Sequence, residues 1–120
     1  MDDILRDKSY LFALRIVRLY RYLKNEHREY VLSKQVLRSG TSIGALVREA
    51  QYAQSRKDFI NKLSVSLKEA NETDYWLNLL KDTNYISEKM HESIESDIAE
   101  LIKILISSIK TTKENLKITT

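Results

Sequence analysis

The stretch that decides the fold is LSKQVLRSGTSIGALVREAQYAQSRKDFINKLSVSLKEANETDYWLNLL, residues 32–80. Its apolar and small residues recur in steps of three and four, with one interruption near Gln54. Leu32, Val36, Ser39, Ile43, Leu46 and Ala50 form one inward helical seam, and Phe59, Leu63, Leu67, Ala70 and Leu77 form another. Ser33 is the expected N-cap of the first helix, because a serine hydroxyl can accept a free N–H of the first turn. Ser55, with Asp58 three residues later, reads as a capping box opening the second.

The same pattern extends outward in both directions. Upstream, Leu5, Phe12, Ile16, Leu19 and Leu23 stack on one face of a helix over about residues 8–25. Downstream, Asn84 is the expected helix stop and Ser87 the expected cap for a fourth helix with the stripe Ile94, Ile98, Leu101 and Leu105. Residues 113–120 are expected to fray, leaving an ordered core of about residues 5–112. Four amphipathic helices with short connections imply an all-α, antiparallel up-down-up-down four-helix bundle, a single domain over residues 1–120.

Composition supports this reading. The 120 residues contain no proline and two glycines, too few for the tight turns of an all-β fold. The absence of cysteine excludes disulfides and thiolate metal sites. The opening MDDILRDKSY lacks the basic-then-apolar order of a signal peptide, and no apolar run is long enough to span a bilayer. A cytoplasmic protein with no membrane association is the expectation. Beyond the inward stripes, Tyr10, Leu14 and Val17 on the first helix and Ile102, Ile106 and Ile109 on the fourth form extra apolar faces. They imply either a wide core stripe or a second buried surface made by self-association.

Candidate chemistry is sparse. Glu88-Lys-Met-His91 matches one half of a di-iron bundle site, but the second Glu-x-x-His element is missing, so the reading is a solvated first turn without a metal. Gly40-Thr-Ser-Ile-Gly44 lacks the lysine and the preceding strand of a phosphate loop. With Ser39, Ser42 and Ala45 these glycines make a small-residue patch suited to close helix approach, an anion site being the sharper alternative. No catalytic residue and no cofactor are assigned, and the protein is not expected to be an enzyme.

Two polar sets remain. Gln35, Arg38, Ser42, Ala45 and Glu49 follow one face, and Glu69, Glu72 and Trp76 another. Folding the hairpin about Gln54 and Ser55 brings Arg38 level with Glu69 and Glu72. This implies an inter-helix ion pair that fixes register, or a polar groove or subunit contact anchored by Trp76. Arg38→Ala is expected to lower stability strongly. The second set is Arg15, Arg18, Arg21, Lys24 and Arg28 on the first helix, interleaved with Tyr20 and Tyr22. It is either a solvated charged face or a surface for phosphates and stacked bases. With net charge +3, a single copy would bind polyanions weakly, and repeated copies would multiply the field.

VLSKQVLRSGTSIGALVREAQYAQSRKDFINKLSVSLKEANETDYWLNLL (residues 31–80), with KSYLFALRIVRLY before it and KILISSIKTTK after it, resembles the four-helix-bundle proteins encoded in 23S rRNA intervening sequences. It is similar, less closely, to the accessory variability proteins of diversity-generating retroelements. The resemblance rests on Arg38, Ser39, Ser42, Ile43, Gly44, Glu49, Ala50, Asp58, Phe59, Lys62, Lys68, Glu69, Glu72 and Trp76. It implies a left-handed antiparallel bundle assembled as a ring-shaped homopentamer. The retroelement relatives are basic pentamers that bind nucleic acid and a reverse transcriptase. One departure is Leu46, where the family pattern usually has asparagine. The functional expectation is a homo-oligomeric scaffold with weak, sequence-tolerant binding of RNA or DNA, alone or beside an unidentified protein. The alternative is a protein-binding or structural oligomer with no nucleic-acid role.

Overall fold

Leu5, Phe12, Ile16, Leu19 and Leu23 are buried along one face of a long first helix, α1, Asp3–His27. The computed structural model describes residues 3–119, and three further helices follow: α2 Leu32–Gln51, α3 Arg56–Asp82 and α4 Glu88–Thr119. The fold is all-α, with principal extents of 53 × 22 × 20 Å. The fourth helix is described through Thr119, and Thr120, the end of the tail expected to fray from residue 113, lies outside the described residues.

The connections show how each helix starts and stops. α1 ends where Arg28 adopts a left-handed φ of 51° and Glu29 N–H donates to Leu23 O at 3.0 Å. An L-residue other than glycine pays about 1 kcal/mol there. α3 ends similarly, with Asn84 at φ 68° and Tyr85 N–H donating to Leu80 O. Ser55 accepts Asp58 N–H at 3.0 Å while the Asp58 carboxylate reaches back to Gln54 N–H. Ser87 accepts Met90 N–H at 3.1 Å.

Ser33 does not cap α2. Val31 occupies the cap position without a side-chain bond, and Glu29 supplies the acceptor, taking Ser33 N–H at 2.7 Å and Val31 N–H at 3.3 Å. A carboxylate also suits the positive end of the helix dipole better than a hydroxyl does. Ser33 is buried, and its hydroxyl donates to Glu29 O.

The core is nearly continuous aliphatic packing, and it corrects the inward seams in places. On α2, Val47 is fully buried and Leu46 half-buried, because the seam advances four residues from Ile43 and not three. On α3, Leu63, Ser66, Ala70, Thr73, Leu77 and Leu80 are buried, while Phe59 and Leu67 pack at the edge. On α4, Ile109 closes the end of the core, contrary to its expected place on an outward face. Tyr10, Leu14 and Ile106 do face outward, at 59%, 36% and 50% exposure, whereas Val17 and Ile102 are half-buried.

Each seam has its own chemistry. α1 meets α2 across Gly40, where an added Cβ would lie 2.8 Å from Ile16 Cγ1, and Gly44, where it would lie 3.1 Å from the Ser9 carbonyl oxygen. α2 and α3 are joined by buried hydroxyl bonds: Thr73 to Ser39 Oγ and Ser66 to Ile43 O, each 2.9 Å. α1 and α4 share the sparsest seam, bridged by Arg15 to Asp97 at 2.7 Å and by Lys8 to Glu100.

The α1–α2 approach has a measurable consequence. A methyl at position 40 favours helix by about 1 kcal/mol but crowds a fully buried, β-branched Ile16. Gly40→Ala is therefore expected to lower stability by about 1–2 kcal/mol net. In an Ile16→Ala background the same change is expected to be neutral or stabilising. Urea unfolding of the four proteins reads both effects.

Candidate nucleic-acid interface

The basic residues of α1 follow from its periodicity. Arg15, Arg18, Arg21 and Lys24 are spaced by three, and each step of three falls short of a full turn by about 60°. They do not form a straight stripe. They wind from the α4 flank of the helix, across its outer surface, to the other side. Arg15, at the start of the band, is engaged: it donates to Asp97 Oδ2 at 2.7 Å and to Ser93 O at 3.1 Å. Lys24 lies over the Tyr20 ring, 5.7 Å from its centroid. Arg28 sits beyond the helix in the α1–α2 turn. Arg18 and Arg21 are exposed and meet no carboxylate among the described residues. Arg15 and Arg18 also rim a groove of about 450 Å³ whose walls are Leu19, Tyr22, Met90 and Ile94. The Tyr22 hydroxyl is bonded to His27 Nε2 at 3.0 Å, and the His27 ring stands edge-on to both Tyr22 and Tyr85. That aromatic set ties the end of α1 to the α3–α4 turn.

The second set divides in two. Arg38 donates to Glu69 Oε2 at 3.2 Å and to Glu72 Oε2, and Glu72 Oε2 also accepts the Trp76 indole N–H at 3.0 Å. Trp76 stands edge-on to Tyr75. Ser42 belongs to α2 alone, its hydroxyl donating to Arg38 O. Glu49 lies further along α2 and faces Lys62 at 3.7 Å. Arg38, Glu69, Glu72 and Trp76 therefore form one cluster, with Ser42 and Glu49 outside it.

Against this geometry, comparison with known proteins is specific. A family model described as "23S rRNA-intervening sequence protein" matches residues 2–107. The chain belongs to the 23S rRNA intervening-sequence protein family. A solved structure from Bacteroides thetaiotaomicron, described as a protein of unknown function from the S23 ribosomal protein family, is 61% identical. It covers 90% of this chain and 96% of its own, with a TM-score of 0.89. No curated protein matches.

The remaining sequence features of this family member resolve simply. His91 is not part of a solvated first turn: it is 8% exposed, and its Nε2–H donates to Asn78 Oδ1 at 2.7 Å, while Glu88 is exposed. The inward turn of His91 follows from its position three residues before Ile94 on the core stripe. Among the described residues, no group of three or more His, Asp or Glu side chains is gathered to hold a metal ion. Nor is any helix among the described residues long and apolar enough to cross a membrane. Gly40 is buried against α1, and Gly44 lines a shallow cleft with Arg6, Tyr10, Ala13 and Arg48. Leu46 is half-buried.

The Arg38 cluster yields a quantitative expectation. Arg38 is 50% exposed, while Glu69 and Glu72 are 16% and 34% exposed. The large loss expected of a buried pair does not apply. Arg38→Ala should cost on the order of 1 kcal/mol, because the pair stands partly in water and the loss falls mainly on Glu69, the less exposed carboxylate left without its guanidinium. Double-mutant cycles with Glu69→Ala and Glu72→Ala should each show a small coupling that shrinks as salt is raised.

Proposed function

We propose that the chain is a non-enzymatic, homo-oligomeric scaffold that binds RNA or DNA weakly and with little sequence preference, alone or beside a protein partner. In this reading each subunit is an antiparallel up-down-up-down bundle and the assembly is a cytoplasmic pentamer without cofactor or metal. The bundle path is supported by contacts that run in opposite directions along neighbouring helices. Ser66 on α3 meets Ile43 on α2, while Thr73, further along α3, meets Ser39, earlier on α2. Self-association is supported by the outward Tyr10, Leu14 and Ile106. The number five comes from family resemblance.

The observation that carries the nucleic-acid reading is the pair Arg18 and Arg21, exposed and unmatched by carboxylates among the described residues, with Arg18 on the rim of a groove walled by Tyr22. Guanidinium groups neutralise phosphates, and an aromatic wall can receive a base. The family description makes single-stranded RNA the first polyanion to test. One observation favours the protein-binding or structural alternative: Arg15 is already satisfied by Asp97, which shortens the free basic band.

Two measurements test the proposal. Light scattering should give a mass near five times 14.1 kDa, and Leu14→Glu with Ile106→Glu should return it towards 14.1 kDa. Fluorescence anisotropy should show RNA affinity falling steeply with salt. Changing Arg18, Arg21 and Lys24 together to Glu should abolish that binding while leaving the mass unchanged, and Arg15 stays in place because it bridges α1 to α4. Replacing any one side chain that neutralises a phosphate should flatten the salt slope by about 0.7 on single strands. No binding by the wild type at low salt leaves the structural alternative standing.

A further inference from the structure

Between α3 and α4 two carboxylates face one another. Asp74 Oδ1 and Glu95 Oε2 are both buried, and neither oxygen meets a donor in the fold. The Glu95 side chain as a whole is 36% exposed, and its buried oxygen is Oε2. Two ionised carboxylates so placed would repel, and neither could donate to the other. A single proton changes both facts, since a protonated carboxyl donates to its neighbour and halves the charge.

The surroundings do not neutralise the pair. On α3, Lys81 attracts Glu95 but does not prevail, and Asn78 is occupied by His91. On α4, His91 Nε2 lies 3.9 Å from Glu95 Oε2, with its N–H directed at Asn78. On the α1 side, Arg15 is held by Asp97 and Ser93. Burial is the largest influence on Glu95, followed by Asp74, first as an acceptor for the protonated carboxyl and then as a like charge; together they push its carboxyl from 4.5 up to about 7.

We propose that Asp74 and Glu95 share one proton across the α3–α4 joint, and that losing this proton loosens the joint, making it a pH-sensitive element of the bundle. The sign follows from linkage. A carboxyl that holds its proton more tightly when folded stabilises the fold at low pH. That contribution is lost as pH rises from 4.5 through about 7, and it levels off above. Most acid-sensitive pairs behave in the opposite sense, weakening as pH falls.

Carbon-13 NMR of the Glu95 carboxyl in the wild type reads the shared proton directly. Titration near pH 7, moving down towards the ordinary glutamate range in Asp74→Asn, is the expected result. A wild-type midpoint below about 5, close to the ordinary glutamate value, overturns the proposal. Amide hydrogen exchange, corrected for intrinsic base catalysis, reads the joint. Protection around Asp74 and Glu95 should fall by up to about tenfold per pH unit between those limits. Glu95→Gln keeps a neutral donor at that position and should flatten the dependence. An equal dependence in wild type and Glu95→Gln overturns the proposal, as does protection that stays constant in the wild type.

Discussion

A Cβ at position 40 would sit 2.8 Å from one branch of Ile16 and 2.9 Å from the other, closer than atoms of a packed interior tolerate. That constraint sets the separation of α1 and α2. Because Gly40 has no side chain, Ile16 enters the groove of α2, and Ser9 comes to rest against Gly44 one turn further on. Once α1 lies that close, the remaining members of its stripe reach the centre. Leu5, Leu23, Val36, Ile43 and Leu63 are all fully buried. The helix-propensity cost of two glycines is offset by packing.

The other seams are set by different physics. Between α2 and α3, buried hydroxyls replace methyl groups at Ser39, Ser66 and Thr73, and each finds a hydrogen-bond partner. A slip of one residue would leave those groups unsatisfied, so the bonds select one register. The α1–α4 seam lacks both devices. It is bridged by half-exposed ion pairs, which contribute little in water, and it is where two of the surface grooves open. The bundle is thus tightest around α2 and most open where its first and last helices meet.

Four helices and most of their core positions are legible because a period of three and four residues is a property of sequence alone. Phase is less secure. From Ile43 a step of three reaches Leu46 and a step of four reaches Val47, and both are apolar. Only the neighbouring helices decide that Val47 goes inside. The cap of α2 escapes the sequence for a similar reason: Ser33 has the right chemistry, but Glu29 is carried within reach by the turn that Arg28 makes. The Arg38 contact with Glu69 and Glu72 follows from equal distances on either side of the Gln54–Ser55 turn. Asp74 and Glu95 stand almost equally far from Asn84, as do Asn78 and His91. The signal for that second cluster is in the sequence, and the same rule applied about Asn84 finds it.

The winding of the basic band bears on what a single subunit can offer. Arg15 faces α4, Arg18 and Arg21 cross the outer surface, and Lys24 reaches the far side, so no flat ligand can meet all of them on one bundle. Arg15 is occupied besides. A nucleic-acid strand lying along one subunit would thus find two or three phosphate contacts, too few for tight binding at ordinary salt. An assembly changes this geometry. Copies arranged about an axis repeat Arg18 and Arg21 at regular intervals, and a strand crossing several subunits collects contacts that no single subunit supplies. The nucleic-acid reading therefore depends on the proposed self-association, and its support is the outward apolar residues of α1 and α4.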